Sequence, residues 1–281
     1  MAQSGKGRPM KNALGIGRLG MLAVGLGIGA AVAATPGIAS ATSDFDISID
    51  GIDLFNGGGS ATAESGMGDV AIAFGPNSNA ISEGGLGDFA SAFSTGSSGA
   101  IAIAGSQDVG ASGNNFDYAS AVGNNANAFA GHPLAADIFP NATPSSFDSA
   151  SDFGGDGTNG ISVALAGFNG SFDSANAIGE TGGATAGLSP NSDVPADFDT
   201  ATFFGNLFLP TSEIGGAYAG GGPEGLGGSN DTAFVDDLFG QTGSTAMAGL
   251  GNNFDLAGAV GDNLSADAFG ADFLAHILPF F

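Results

Sequence analysis

Eight aspartates recur at the head of nearly the same phrase, and they are the residues of this chain best placed to do chemistry. The phrases are GDVAIAFG from Gly68, GDFASAFS from Gly87, FDYASAVG from Phe116, FDSASDFG from Phe147, FDSANAIG from Phe172, FDTATFFG from Phe198 and FDLAGAVG from Phe254. A weaker copy, DTAFVDDLFG, begins at Asp231. The series is Asp69, Asp88, Asp117, Asp148, Asp173, Asp199, Asp231 and Asp255, at spacings of 19, 29, 31, 25, 26, 32 and 24 residues. If the copies stack as neighbouring strands about 4.8 Å apart, aligned carboxylates repel by roughly 1 kcal/mol per pair in water and several-fold more at lower dielectric. Either they are staggered and solvated, or something positive lies between them.

Two chemistries suit such a row. Each carboxylate can accept backbone N–H bonds and fix the turn that enters a strand, or the row can hold calcium as a metal site. The known calcium repeat G-G-x-G-x-D-x-U-x is approached at Gly84-Gly85-Leu86-Gly87-Asp88, where the aspartate follows the last glycine directly instead of after one residue. No other cofactor is implied. Catalysis is not expected: His132 and His276 are the only histidines, there is no cysteine, and the carboxylate pairs Asp236 with Asp237 and Asp193 with Asp197 have nothing to single them out for glycoside hydrolysis.

The elements that must position the aspartates are short strands. Side chains alternate along a strand, and the second residue after Asp is alanine in the seven stronger copies (Ala71, Ala90, Ala119, Ala150, Ala175, Ala201, Ala257). The opposite face ends apolar, at Phe74, Phe93, Val122, Phe153, Ile178, Phe204 and Val260. We read the alanine face as inside, with the phenylalanines either turned in at corners or forming an exposed ridge. A second phrase, in GAIAIAG from Gly99, GISVALAG from Gly160, GATAG from Gly183 and GSTAMAG from Gly243, supplies another strand per repeat. The predicted fold is all-β: an irregular β-solenoid or β-roll of Ala- and Gly-faced strands joined by Gly- and Asn-rich turns. Residues 131–146 and 205–230 are the longest expected loops. Disorder is the competing reading, because glycine with one-sided charge is its compositional mark.

The ends of the chain differ from its middle. Lys6, Arg8, Lys11 and Arg18 precede an apolar run from Leu19 to Ala34, and Ala39-Ser40-Ala41 offers small residues for cleavage, so residues 1–41 read as an export signal. Residues 42–66 open with DFDISIDGIDLF, expected to form a half-buried strand with an acidic face and a cap. Residues 67–270 hold the repeats, and the apolar tail 271–281, ADFLAHILPFF, is expected to cap the stack or touch the envelope. All four basic residues precede residue 42 and all 28 acidic residues follow it, so the part beyond the signal carries −28 formally. Nucleic acid is excluded as a partner, since phosphate neutralisation needs Lys or Arg. Cations or basic protein surfaces are the partners such a field attracts, and a phenylalanine ridge or the tail offers self-association or envelope contact.

The Gly-, Ala- and Asn-rich phrasing, the segment ATPGIASA and the start DFDISIDGIDLF resemble mycobacterial exported repeat proteins of PE-PGRS-like composition, without the PE module. That resemblance implies a secreted or cell-envelope protein. GDVAIAFGPNSNA is also similar to the A-x-A-x-G unit of trimeric autotransporter heads, which implies a β-roll with an adhesive surface.

Overall fold

The computed structural model describes residues 44–94, 96–105, 114–131, 146–153, 162–167, 171–178, 183–187, 197–203, 216–220, 231–236, 245–248, 255–260 and 265–267. The export segment, His132, His276, Asp193, Asp237, Phe204 and the apolar tail lie outside them. The described residues form strands and no helix.

The strands follow from alternation and turn chemistry. Strand β1 (Phe45–Ile49) turns through Asp50 and Gly51, both at positive φ, into β2 (Ile52–Asn56), as an Asp-Gly pair favours. Then come β3 (Thr62–Ser65), β4 (Val70–Phe74), β5 (Asn79–Glu83), the short β6 (Gly85–Leu86), β7 (Phe89–Phe93), β8 (Ala100–Gly105), β9 (Asn114–Asn115), β10 (Tyr118–Val122) and β11 (Ala126–Phe129). They continue as β12 (Ser149–Asp152), β13 (Ser162–Leu165), β14 (Ser174–Ala177), β15 (Thr200–Phe203), β16 (Gly216–Ala217), β17 (Thr232–Val235), β18 (Thr245–Met247), β19 (Leu256–Ala259) and β20 (Ser265–Asp267).

Each strand that follows a repeated aspartate joins one sheet. Strands β4, β7, β10, β12, β14, β15, β17 and β19 run parallel, side by side, and β1 then β2 close one edge in antiparallel pairing. Register holds alanine opposite alanine from Ala71 through Ala90, Ala119, Ala150, Ala175, Ala201 and Ala233 to Ala257. The second phrase of each repeat builds a parallel sheet of β3, β5, β8, β11 and β13, and a smaller one of β16, β18 and β20. Backbone bonds from Leu165 to Ala184, from Thr185 to Ala217 and from Tyr218 to Ala246 carry the ladder from one to the other. From β3 to β14 the chain alternates between the first sheet and these others, with β6 and β9 pairing separately. Strands β14 and β15 then follow one another in the first sheet, with Thr185, which bridges to Leu165, between them in sequence, and the alternation resumes from β16.

The sheets meet through alanine. Ala71, Ala90, Ala119 and Ala150 of the first sheet share one buried cluster with Ala80, Ala102, Ala128 and Ala164 of the second, all at 0 % exposure. Between the sheets lies mostly alanine, with Phe203 and Val235 the large buried exceptions, so over the alanine stretch the sheets need not stand the usual ~10 Å apart. The expected inside face is therefore confirmed, while the apolar residues at the end of each phrase point outward, half-buried at Phe74 and Phe93 and 58 % exposed at Phe153. Phe74 and Phe93 stack with centroids 4.9 Å apart.

Two expectations are corrected. The acidic face of β1 is not solvated: Asp46 and Ser48 are buried and turned inward, where Asp46 Oδ2 accepts the Ala63 amide at 2.9 Å and the Ser48 and Ser65 hydroxyls bond at 2.8 Å. Ile47 instead packs with Val70 and Ile72. Residues 205–230 are not one loop either, since Gly216–Ala217 is a strand paired with β18.

Candidate functional site

The eight aspartates stand in one column at the start of the first sheet's strands, each 0–1 % exposed. Oδ1 of Asp69 accepts the amide N–H of Asp88 at 3.0 Å, and Asp88 does the same for Asp117 at 3.0 Å. Asp117 accepts from Asp148 at 3.0 Å, Asp148 from Asp173 at 3.1 Å and Asp173 from Asp199 at 3.0 Å. Asp199 accepts from Asp231 at 3.1 Å and Asp231 from Asp255 at 2.9 Å. Each aspartate is thus acceptor to the next and donor to the one before. The column is neither staggered nor solvated, which overturns that alternative. What lies between successive carboxyls is the partial positive charge of a backbone amide.

Burial and like charge together push these acids up. Asp69 is raised to about 6, mainly by burial, with the amides of Asp88 and Gly87 opposing. Asp88 reaches about 7, again chiefly by burial, the amide of Asp117 lowering it and the Asp69 carboxyl raising it. Asp117 and Asp173 reach about 9, where burial leads and the neighbouring Asp148 carboxyl adds. The shift grows from Asp69 through Asp88 to Asp117 as burial deepens, with neighbouring carboxyls adding to it. At neutral pH the formal charge of −28 therefore overstates the charge the folded chain carries.

The second carboxyl oxygen faces glycine. A β-carbon on Gly66 would stand 2.8 Å from Asp69 Oδ2, and one on Gly105 would stand 2.5 Å from Asp88 Oδ2. Gly131 and Gly167 lie against Asp117 and Asp148 in the same way. These are the glycines that close the second-sheet phrases, as in AIAIAG and NAFAG. Among the described residues, no three carboxylates or histidines converge on a point where a metal ion would sit.

A second column, unforeseen as such, runs beside the first. Phe116, Phe147, Phe172 and Phe198 immediately precede four of the aspartates and are 53, 49, 49 and 55 % exposed. Their rings stack at 5.1, 4.9 and 4.9 Å with interplanar angles of 15, 2 and 3°. All four have left-handed backbones, with φ of 61, 65, 67 and 65°. That conformation costs about 1–2 kcal/mol per residue for an L side chain, and one aromatic stack contributes about 0.5–1.5 kcal/mol. Three stacks among four such residues therefore offset only part of the strain. Gly68 and Gly87 occupy the same place before Asp69 and Asp88 at φ 94 and 84°, so the turn itself does not need phenylalanine.

Compared with known proteins, the chain matches no family model, no curated protein and no solved structure. Function has to be argued from the two columns. Of the remaining candidates, Asp197 is used structurally, accepting the Ser171 amide at 2.9 Å. Sequence reading passed over Asp152, which interrupts the inner alanine column and reaches the Asn127 amide of β11 at 2.6 Å. Its signal was the aspartate standing where FDYASAVG has Ala121.

Proposed function

We propose that the chain is a non-catalytic, exported structural and interaction protein of the cell envelope or surface, built as an irregular β-solenoid from residue 42 onward. The carrying observation is the aspartate column, in which each repeat supplies both the donor and the acceptor that its neighbours require. Such a repeat is stabilised by stacking on another and leaves its outer faces available. The alternation of the chain between sheets along most of its described length supports the solenoid path, and the basic-then-apolar segment before residue 42 supports export. Ala, Gly and Asp make up most of the described interior, with Phe203 and Val235 the large exceptions, so an outer face rather than a cleft is where another molecule meets the chain.

A second reading, a calcium-binding adhesive β-roll, draws on the same aspartates, because an ionised column calls for positive charge. Far-UV circular dichroism of residues 42–281, first in chelator and then in millimolar calcium, separates the two. A strand spectrum complete in chelator is the expected result. Strand signal that develops only with calcium would replace the first reading with the second.

A further inference from the structure

We propose that the column Phe116, Phe147, Phe172 and Phe198 is a binding site for an elongated, planar aromatic cation lying along the stacking direction. The inference rests on the scaffold reading above and adds the class of ligand. The first support is conformational: four phenylalanines hold left-handed backbones where glycine serves in two other repeats, and about half of each ring remains in water. Folding alone gives no reason for that choice, and residues held in strained backbone conformations concentrate where a surface is used.

Geometry supplies the shape of the ligand. The rings repeat at 4.9–5.1 Å with their planes close to parallel, stacked into an apolar row across the strands. Two residues further along the chain from Phe147, Phe172 and Phe198 stand the small, half-buried Ser149, Ser174 and Thr200, whereas Phe116 is followed by the 43 % exposed Tyr118, so the row is low on that side from Phe147 to Phe198. A flat, narrow molecule several rings long can cover successive phenylalanines, whereas a compact one covers only a single ring.

Charge supplies the sign. No lysine or arginine occurs after Arg18, so nothing in the described residues repels a cation or attracts an anion. Asp197, which is not part of the buried column, directly precedes Phe198, and with no lysine or arginine beyond Arg18 to offset its charge the potential beside that ring is negative. A second copy of the chain brings the same negative field and is the less favoured occupant.

The test is a titration of the full-length chain with thioflavin T, a planar aromatic cation, at neutral pH in chelator, with sedimentation followed in parallel. We expect saturable fluorescence on a species that stays monomeric, and at least ten-fold weaker binding by the Phe147→Gly/Phe172→Gly variant with an unchanged strand spectrum. Glycine is already present at this position in other repeats, so the double variant keeps a permitted backbone. Should it lose its strand spectrum, Phe172→Leu, which keeps an apolar side chain without a ring, is expected to weaken binding instead. Phe93→Ala, in the separate stacked pair, is expected to bind as the parent does. Equal binding by the ring-free variants, equally tight binding of the anionic dye 8-anilinonaphthalene-1-sulfonate, dye uptake that follows dimerisation, or no saturable binding would each overturn the site. No binding by a chain with an intact strand spectrum removes the site alone, while a missing strand spectrum removes the scaffold reading with it.

Discussion

The amide of Asp148 donates to Oδ1 of Asp117 at 3.0 Å across 31 residues of chain. One residue type thereby performs two jobs at every step of the column. Its backbone N–H satisfies the preceding carboxyl, and its own carboxyl satisfies the following backbone. Because both groups are buried, the carboxyl cannot be exchanged for an apolar group of similar size without orphaning an amide. The proton on the carboxyl, by contrast, is free to respond to the solution.

That freedom gives an unusual pH profile. In the folded chain Asp69, Asp88, Asp117 and Asp173 are raised to about 6, 7, 9 and 9, above the ~3.9 of an unfolded aspartate. Between those values the folded state holds more protons than the unfolded one, so this contribution to stability is complete below about pH 4 and is lost as pH rises through 6, 7 and 9. Melting temperatures at pH 5, 7 and 9 are expected to fall in that order. A flat or rising series would mean that the column is ionised and neutralised by something else.

Substitution at Asp117 separates its two roles. Asp117→Asn keeps an oxygen for the Asp148 amide and removes the titration, so the melt is expected to change little at pH 5 and to exceed the parent's at pH 9. Asp117→Ala also removes the titration but leaves a buried donor without its acceptor, and is expected to be less stable than Asp117→Asn by about 1–3 kcal/mol at both pH values. Urea unfolding at the two pH values measures both differences, and an alanine variant as stable as the asparagine one would contradict the assignment.

The glycines that meet the carboxyls should be intolerant of a methyl group. Gly131 is at φ 75° with Asp117 against it, so Gly131→Ala combines left-handed strain with a collision and is expected to lose about 2–4 kcal/mol. Gly258 has no neighbour within 4 Å of its would-be β-carbon, and Gly258→Ala is expected to be neutral or stabilising by up to about 1 kcal/mol. Equal losses in the two variants, read by chemical denaturation, would show that the Asp–Gly contact has no special weight.

Much of this architecture was legible in the residues. Alternation of period two fixed the alanine face, and the repeated Asp-x-Ala aligned strands separated by 19 to 32 residues, including the weak copy at Asp231. The sheets facing the first were only half legible: GAIAIAG was found, but the strand Ala126–Phe129 and the two-residue β16 were too short or too varied to stand out. The inward turn of Asp46 was hidden because hydropathy places carboxylates outside, whereas a nearby amide at Ala63 can satisfy one inside. The phenylalanine column escaped notice because parity predicts which face a strand residue occupies and says nothing of a residue in a left-handed turn just before the strand.

The hydrogen bond from Asp88 to Asp69 spans 19 residues and that from Asp231 to Asp199 spans 32, yet the two differ by only 0.1 Å. Chain length between successive strands is therefore decoupled from the ladder that the strands make. Loop-closure entropy grows only logarithmically with length, so lengthening a connection costs the fold little. Such a protein can acquire or shed connecting sequence in evolution, and can accept a grafted peptide between repeats, while the spine of amides and carboxyls keeps its spacing.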